Sequence, residues 1–229
     1  MLEKGDHLFE AGVRYDFQTA DIVGREPNND IYRNTITYES FTATLGYKRQ
    51  FSRQANFRTN FGTAWRPPNV SELYRFGRHL TFLEYGLWRY RFTEQDFIST
   101  RRILTQKDRP VPPELGFKWV TTYELRLPAF RAEITGYANY IQNFIYARPA
   151  GLTSTVRGTA PFFIYDQSDA LFWGLDFFGE YDHSKTFVSS LKASYLWSKQ
   201  ITENDFFAGQ PPPQIAYNLS YRPALDFLD

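Results

Sequence analysis

Apolar and polar residues alternate with a period of two along most of the chain. Between residues 8 and 17, Phe9, Ala11, Val13, Tyr15 and Phe17 alternate with Glu10, Gly12, Arg14 and Asp16, as in a strand with one dry and one wet face. The pattern returns as Phe41, Ala43, Leu45 and Tyr47 against Thr42, Thr44, Gly46 and Lys48. It returns again as Phe57, Thr59, Phe61, Thr63 and Trp65 against Asn56, Arg58, Asn60, Gly62 and Arg66, with a tight turn predicted at Ser52 to Gln54 between these two runs. A second hairpin joins Trp119, Thr121, Tyr123, Leu125 and Leu127 to Ala132, Ile134, Gly136, Ala138 and Tyr140 through Pro128-Ala129. Leu171, Trp173, Leu175 and Phe177 pair across Asp182 to Lys185 with Phe187, Leu191, Ala193, Tyr195 and Trp197, and Ile215, Tyr217, Leu219 and Tyr221 close the series. Eight strands and no helix are predicted.

The connections fall into two classes. Short turns lie near 52–54, 128–130 and 182–185, whereas long polar segments rich in Pro and Gly lie at 22–35, 67–115, 148–161 and 199–213. Tight turns at one rim and large loops at the other are the plan of outer-membrane barrels. Many runs exceed the roughly 9 to 11 residues that a tilted strand needs to cross a bilayer. Tyr47, Trp65, Trp119, Tyr140, Trp197 and Tyr221 sit near run ends, where an interfacial girdle would place them. Alternation says only that one face is dry, so a soluble antiparallel sandwich or barrel shares the pattern.

Composition narrows the choice. The 229 residues include 22 Phe, 16 Tyr and 5 Trp, nearly one aromatic in five, more than one soluble core of this size buries easily. Mean hydropathy is −0.49, and no stretch of about 18 apolar residues exists, which excludes a helical membrane protein. The absence of Cys rules out a disulfide framework, thiol nucleophiles and cysteine-ligated zinc or iron–sulfur sites. His7, His79 and His183 are far apart, so no compact His metal motif forms. With 26 Lys+Arg against 25 Asp+Glu, the basic surplus of a nucleic-acid binder is missing. No G-x-S-x-G, P-loop or Rossmann fingerprint is present, so neither an enzyme nor a resident cofactor or metal is expected. The opening MLEKGDHLFEAG has no basic region followed by an apolar run. That leaves either a cytosolic chain or part of a longer polypeptide.

Residues 57–86 run FRTNFGTAWRPPNVSELYRFGRHLTFLEYG. In Phe61-Gly62-Thr63-Ala64-Trp65-Arg66, then Pro68-Asn69, Glu72-Leu73, Gly77, His79 and Glu84-Tyr85-Gly86, this segment resembles the TonB-dependent outer-membrane receptors. Pro113-Glu114 is similar to the dipeptide that opens that family's next strand. Further matches are Tyr137 through Ile145, Phe163-Ile164-Tyr165 through Asp169-Ala170 to Gly174 and Asp176, and Gln210-Pro211-Pro212-Pro213 before the last strand. The chain departs from the pattern in the Arg- and Phe-rich stretch LWRYRFTEQDFISTRRILTQKDRP after Gly86 and in Asp176, where Glu is usual. The resemblance implies an all-β, antiparallel up-and-down transmembrane barrel segment, residues 1–229 forming part of a barrel of about 22 strands. The family's plug domain, its TonB-contacting box and its closing strands have no counterpart in these residues. By the same resemblance the protein would lie in the outer membrane of a Gram-negative cell, amid lipid and lipopolysaccharide. It would take up a scarce nutrient, a ferric siderophore foremost, with energy delivered by the TonB complex through the plug. A soluble or adhesive all-β binding module is the rival reading, and a membrane-embedded enzyme barrel such as a lipase the third.

Segment 67–115 gathers Glu72, Tyr74, Arg75, Arg78, His79, Glu84, Trp88, Arg89, Tyr90, Arg91, Arg101 and Arg102. Arginine and aromatic side chains grip an anionic metal chelate by charge-assisted hydrogen bonds and stacking, which makes Tyr74, Arg75, Arg78, His79, Trp88 and Arg91 the candidate ligand-binding set. An ordinary solvated loop, with its arginines on lipopolysaccharide phosphates, shares the composition. Asp166, Asp169 and Asp176 are expected to pair with Lys118, Arg126 or Lys192 on the wet wall rather than to perform acid–base chemistry.

Overall fold

A computed structural model describes residues 1–26, 29–79, 81–92, 97–99, 103–156, 158–207 and 209–221. The main strands are β2 (His7–Arg25), β3 (Ile31–Gln50), β4 (Ala55–Arg66), β9 (Glu114–Arg126), β10 (Phe130–Thr155), β11 (Gly158–Asp182), β12 (Phe187–Gln200) and β13 (Gln214–Tyr221). A short β1 (Leu2–Lys4) folds onto β2, and the elements α1 (Val70–Tyr74), β5 (Phe76–His79), β6 (Phe82–Tyr85), β7 (Tyr90–Phe92) and β8 (Phe97–Ser99) all fall between β4 and β9. The main strands form one antiparallel sheet in the order β1-β2-β3-β4-β9-β10-β11-β12-β13, each beside its neighbour in sequence along that path. The eight predicted strands are all present. Across the described residues the sheet is open rather than closed into a barrel.

Cross-strand partners share a face, so register decides facing. One row runs Ala11, Leu45, Phe61, Trp119, Ala138, Trp173 and Trp197 across seven strands. A wet row on the opposite face runs Lys48, Arg58, Thr122, Thr135, Asp176, Ser194 and Gln214. The apolar face is not a core, for Val13 is 79% exposed, Phe41 71% and Ile215 79%. A soluble sandwich would bury these residues, and that rival fails on this observation. The wet face instead carries ion pairs, Arg131–Glu180 at 2.9 Å and Arg58–Glu133 at 3.7 Å. Tyr137 lies directly across from Gly174 there, and a Cβ on that glycine would stand 2.4 Å from the Tyr137 hydroxyl. The ring packs where only a glycine leaves room.

Two connections differ from expectation. Segments 22–35 and 148–161 are mostly strand, because β2 runs to Arg25, β3 begins at Ile31, β10 runs to Thr155 and β11 begins at Gly158. The physical reason is a change of environment along the strand. Beyond Phe17 and Phe41 the formerly dry side carries Thr19, Asp21, Arg33, Thr35, Thr37 and Glu39, and Thr35 Oγ1 donates to Asp21 Oδ1 at 2.7 Å. The apolar residues move to the opposite side as Ile22, Tyr32, Ile36 and Tyr38. A strand whose dry face changes sides loses the simple alternation. The helix α1 was also unexpected, being only five residues long and too short to show a 3.6-residue period.

The facing assignment yields a measurable contrast. Leu191 lies on the apolar face opposite Tyr217, and Ser190 on the wet face opposite Glu180 and Asn218. In lipid, Leu191→Arg should cost about 2–4 kcal/mol if it lies near the midplane, less toward an interface, and Ser190→Arg well under that. Reversible unfolding from liposomes of the intact protein checks this, and equal costs would overturn the assignment.

Candidate functional site

The strands β4 and β9 end early, at the register pair Arg66–Glu114, whereas the hairpins β2–β3 and β10–β11 continue past them. The intervening segment fills the space between those two tall hairpins and packs on the wet side of the sheet. It has a core of its own, in which Leu73, Leu87, Trp88, Leu104 and Val111 are at most 1% exposed and meet Tyr32 and Ile36 of β3 and Ile145 of β10. Tyr38 donates its hydroxyl to Val111 O at 3.2 Å. On the other flank β6 pairs in parallel with Phe162–Ile164 of β11, along the edge that β12 leaves bare above Ala170. The predicted long loop is thus a folded cap.

At its root lies one ionic hub. Arg66 Nη2 donates to Glu114 Oε1 at 2.5 Å and Nε to Oε2 at 2.9 Å, while Nη1 reaches both oxygens of Glu72 at 2.9 Å. The carboxylate side chains are 9–10% exposed, so each needs these bonds to offset its desolvation. Glu72 Oε2 also accepts from the Asn69 backbone N–H at 2.8 Å, and Asn69 Oδ1 accepts from that of Glu72 at 2.9 Å. This capping box starts α1. Glu114 Oε1 accepts from Ile145 N at 2.7 Å, tying the hub to β10. Gly86 runs against α1, where a Cβ would stand 2.6 Å from the Leu73 carbonyl carbon and oxygen. Trp88 N then donates to Leu73 O at 2.9 Å, and Trp88 Nε1 to Arg109 O at 2.9 Å.

The candidate ligand residues separate by position. Trp88 is fully enclosed, and half-buried Tyr74 packs edge-on against it while its hydroxyl meets Asn34 Nδ2 at 3.1 Å and Tyr32 Oη at 3.3 Å. Both hold the cap together. Burial raises the pKa of the Tyr74 hydroxyl, which therefore stays protonated. Arg75 is ion-paired with Glu84. Arg78 on β5 and Arg91 on β7 are exposed, with Arg91 4.0 Å from Asp108. The His79 backbone pairs with Phe82, and its side chain lies outside the described residues, as do Arg101 and Arg102 entirely. Buried Arg89 lies over the Phe76 ring at 4.2 Å, and burial lowers its pKa. The Tyr90 hydroxyl, pushed up to about 12 by burial, donates to Tyr165 O and accepts from Arg109 Nη2 at 3.1 Å.

Two carboxylates have partners other than those expected. Asp166 lies 3.5 Å from Arg148 and 3.6 Å from Arg109, the latter supplied by the cap. Asp169 accepts from Tyr140 Oη at 2.6 Å and from the Asn143 backbone at 3.0 Å. That bond steadies a bulge at Asn143, whose φ is 56°. The cap and the bulge redirect these side chains, and alternation along β11 shows neither. Among the described residues no group of three or more His, Asp or Glu is arranged to hold a metal.

The chain belongs to the family described as TonB dependent receptor-like, beta-barrel, matched over residues 3–227. That family consists of outer-membrane receptors and transporters, not enzymes. Among solved structures, the copper transporter OprC superposes with a TM-score of 0.74 at 15% identity, covering 96% of this chain and 31% of that one. The FrpB iron transporter from Neisseria meningitidis gives 0.60 at 13%, over 97% and 29%. The Serratia marcescens hemophore receptor HasR, solved with its hemophore HasA and heme, gives 0.56 at 13%, over 96% and 38%. At these identities the likeness is one of fold, and this chain spans about a third of each of those chains. No curated protein matches the sequence.

If the hub sets the cap, breaking it should loosen the cap and spare the sheet. Glu114→Ala leaves Arg66 short of two bonds and should cost about 1–3 kcal/mol locally, and Gly86→Ala should have the same effect by collision. Limited proteolysis of the intact protein should then cut faster within 67–113, with the strands unaffected. Unchanged cleavage would remove the hub from this role.

Proposed function

We propose that this chain forms part of the wall of a larger outer-membrane barrel that takes up a scarce nutrient, most fittingly a ferric siderophore, with energy from the TonB complex. The observation that carries the reading is the single exposed apolar face running across the main strands, opposite a charged face that bears the cap. Such a sheet suits a wall with lipid on one side and a polar lumen on the other. In the intact protein a plug domain would contact TonB and occupy the lumen, and lipid and lipopolysaccharide would cover the apolar face. The metal and heme cargoes named for FrpB, OprC and HasR favour a metal-bearing ligand here too.

In this reading the cap is a preformed platform. Arg78 and Arg91, at its surface, would meet the oxygen donors of an anionic chelate, with His79 beside Arg78 on β5. Tyr74, Trp88 and the paired Arg75 would act by keeping the platform rigid. Each charge-assisted hydrogen bond contributes about 1.5–3 kcal/mol, so Arg78→Ala with Arg91→Ala should weaken chelate binding at least about tenfold. Uptake of radiolabelled iron from a panel of ferric siderophores by iron-starved cells tests the reading. Uptake should need the protein and fall in the double variant; cells lacking the protein that import every chelate normally would refute it.

A further inference from the structure

A partly open pocket lies beside the cap, where the connection between β12 and β13 folds back over the wet face of β10, β11 and β12. Its volume is about 770 Å³, within the usual range of small-molecule sites. Aromatic rings form one wall. Phe207 meets Phe144 and Tyr146 edge-on at 5.1 and 5.4 Å and lies parallel to Phe172 at 5.5 Å and 7°. Gln210 fastens the connection to β12, its Nε2 donating to Leu196 O at 2.7 Å and its Oε1 accepting from Ser198 Oγ at 3.0 Å.

The charged groups on the lining are Arg148, Glu203 and Asp205. Two carboxylates therefore face one cation, and Arg148 already lies 3.5 Å from Asp166 and 3.1 Å from Glu203. The Asp205 carboxylate accepts from Phe206 N at 2.7 Å, a bond that leaves its charge in place. Ring faces add negative potential of their own and attract cations. An anionic chelate would meet an unfavourable field here, unlike at the arginines of the cap. We propose that this pocket is a separate binding site for a small aromatic cation, held against the ring cluster of Phe144, Phe172 and Phe207 on one side and by the carboxylates of Glu203 and Asp205 on the other.

Three probes that share one ring and differ in charge test this on the intact protein in detergent micelles: benzyltrimethylammonium, benzyl alcohol and benzoate. Saturation-transfer NMR, corrected with empty micelles, gives the affinities. The cation should bind about tenfold more tightly than benzoate. Combining Glu203→Gln with Asp205→Asn, both on the exposed connection, should erase most of that preference. Phe172→Leu and Phe207→Leu, which keep apolar bulk and remove the ring face, should weaken the cation several-fold and benzyl alcohol less. Benzoate binding as tightly as the cation would overturn the proposal, and so would a preference that survives the carboxamide variants.

Discussion

The Arg66 guanidinium, shared between two nearly buried carboxylates, is the interaction on which the architecture above the sheet depends. It sits where β4 and β9 stop, and it binds the first turn of the cap through Glu72 and the start of β9 through Glu114, whose carboxylate in turn accepts from the Ile145 amide of β10. Without the guanidinium, two nearly buried carboxylates would keep only backbone donors and lose the cation that offsets their desolvation. Together with Asn69 they fix where α1 starts and how Leu73 faces Trp88. The cap can then cover the apolar side of the β2–β3 projection, whose Tyr32 and Ile36 would otherwise meet water.

This gives physical content to the family resemblance. Arg66, Asn69, Glu72, Leu73, Gly86 and Glu114 were legible as a motif, and in the structure they are the hub, the capping residue, a core residue and a close backbone contact. They build the support on which the rest of the cap packs. The Arg- and Phe-rich stretch that departs from the family pattern supplies the enclosed Trp88 and the exposed Arg91, so the part that differs sits on the part that is shared.

The sheet was readable because its two faces differ, one apolar and the other polar and charged. Each main strand has an alternation of period two, and the register confirms the division into dry and wet sides from Ala11 to Trp197. The reading stopped where the faces exchange: past Phe17 the apolar residues cross to the cap side, and the extensions of β2 and β3 resembled polar loops. The candidate site was less legible for a related reason. A tyrosine or tryptophan in a loop can serve a ligand or a local core, and composition does not distinguish them. Trp88 and Tyr74 went to the core, whereas the partners of Asp166 and Asp169 depend on long-range packing that no local pattern encodes. The Asn69–Glu72 spacing of the capping box was visible in the sequence and would have located α1.

In the proposed wall, lipid covers one face of the sheet and the folded cap the other, which makes opposite demands on three tryptophans. Trp119 and Trp173 lie on the apolar face at 59% and 42% exposure, and Trp88 is enclosed in the cap at 0%. The direct measurement is fluorescence quenching by bromine on lipid acyl chains, in single-tryptophan variants of the intact protein in liposomes. Trp119 and Trp173 should be strongly quenched and Trp88 left bright. Quenching of Trp88 to the same degree, or none at Trp119 and Trp173, would contradict the assignment of faces.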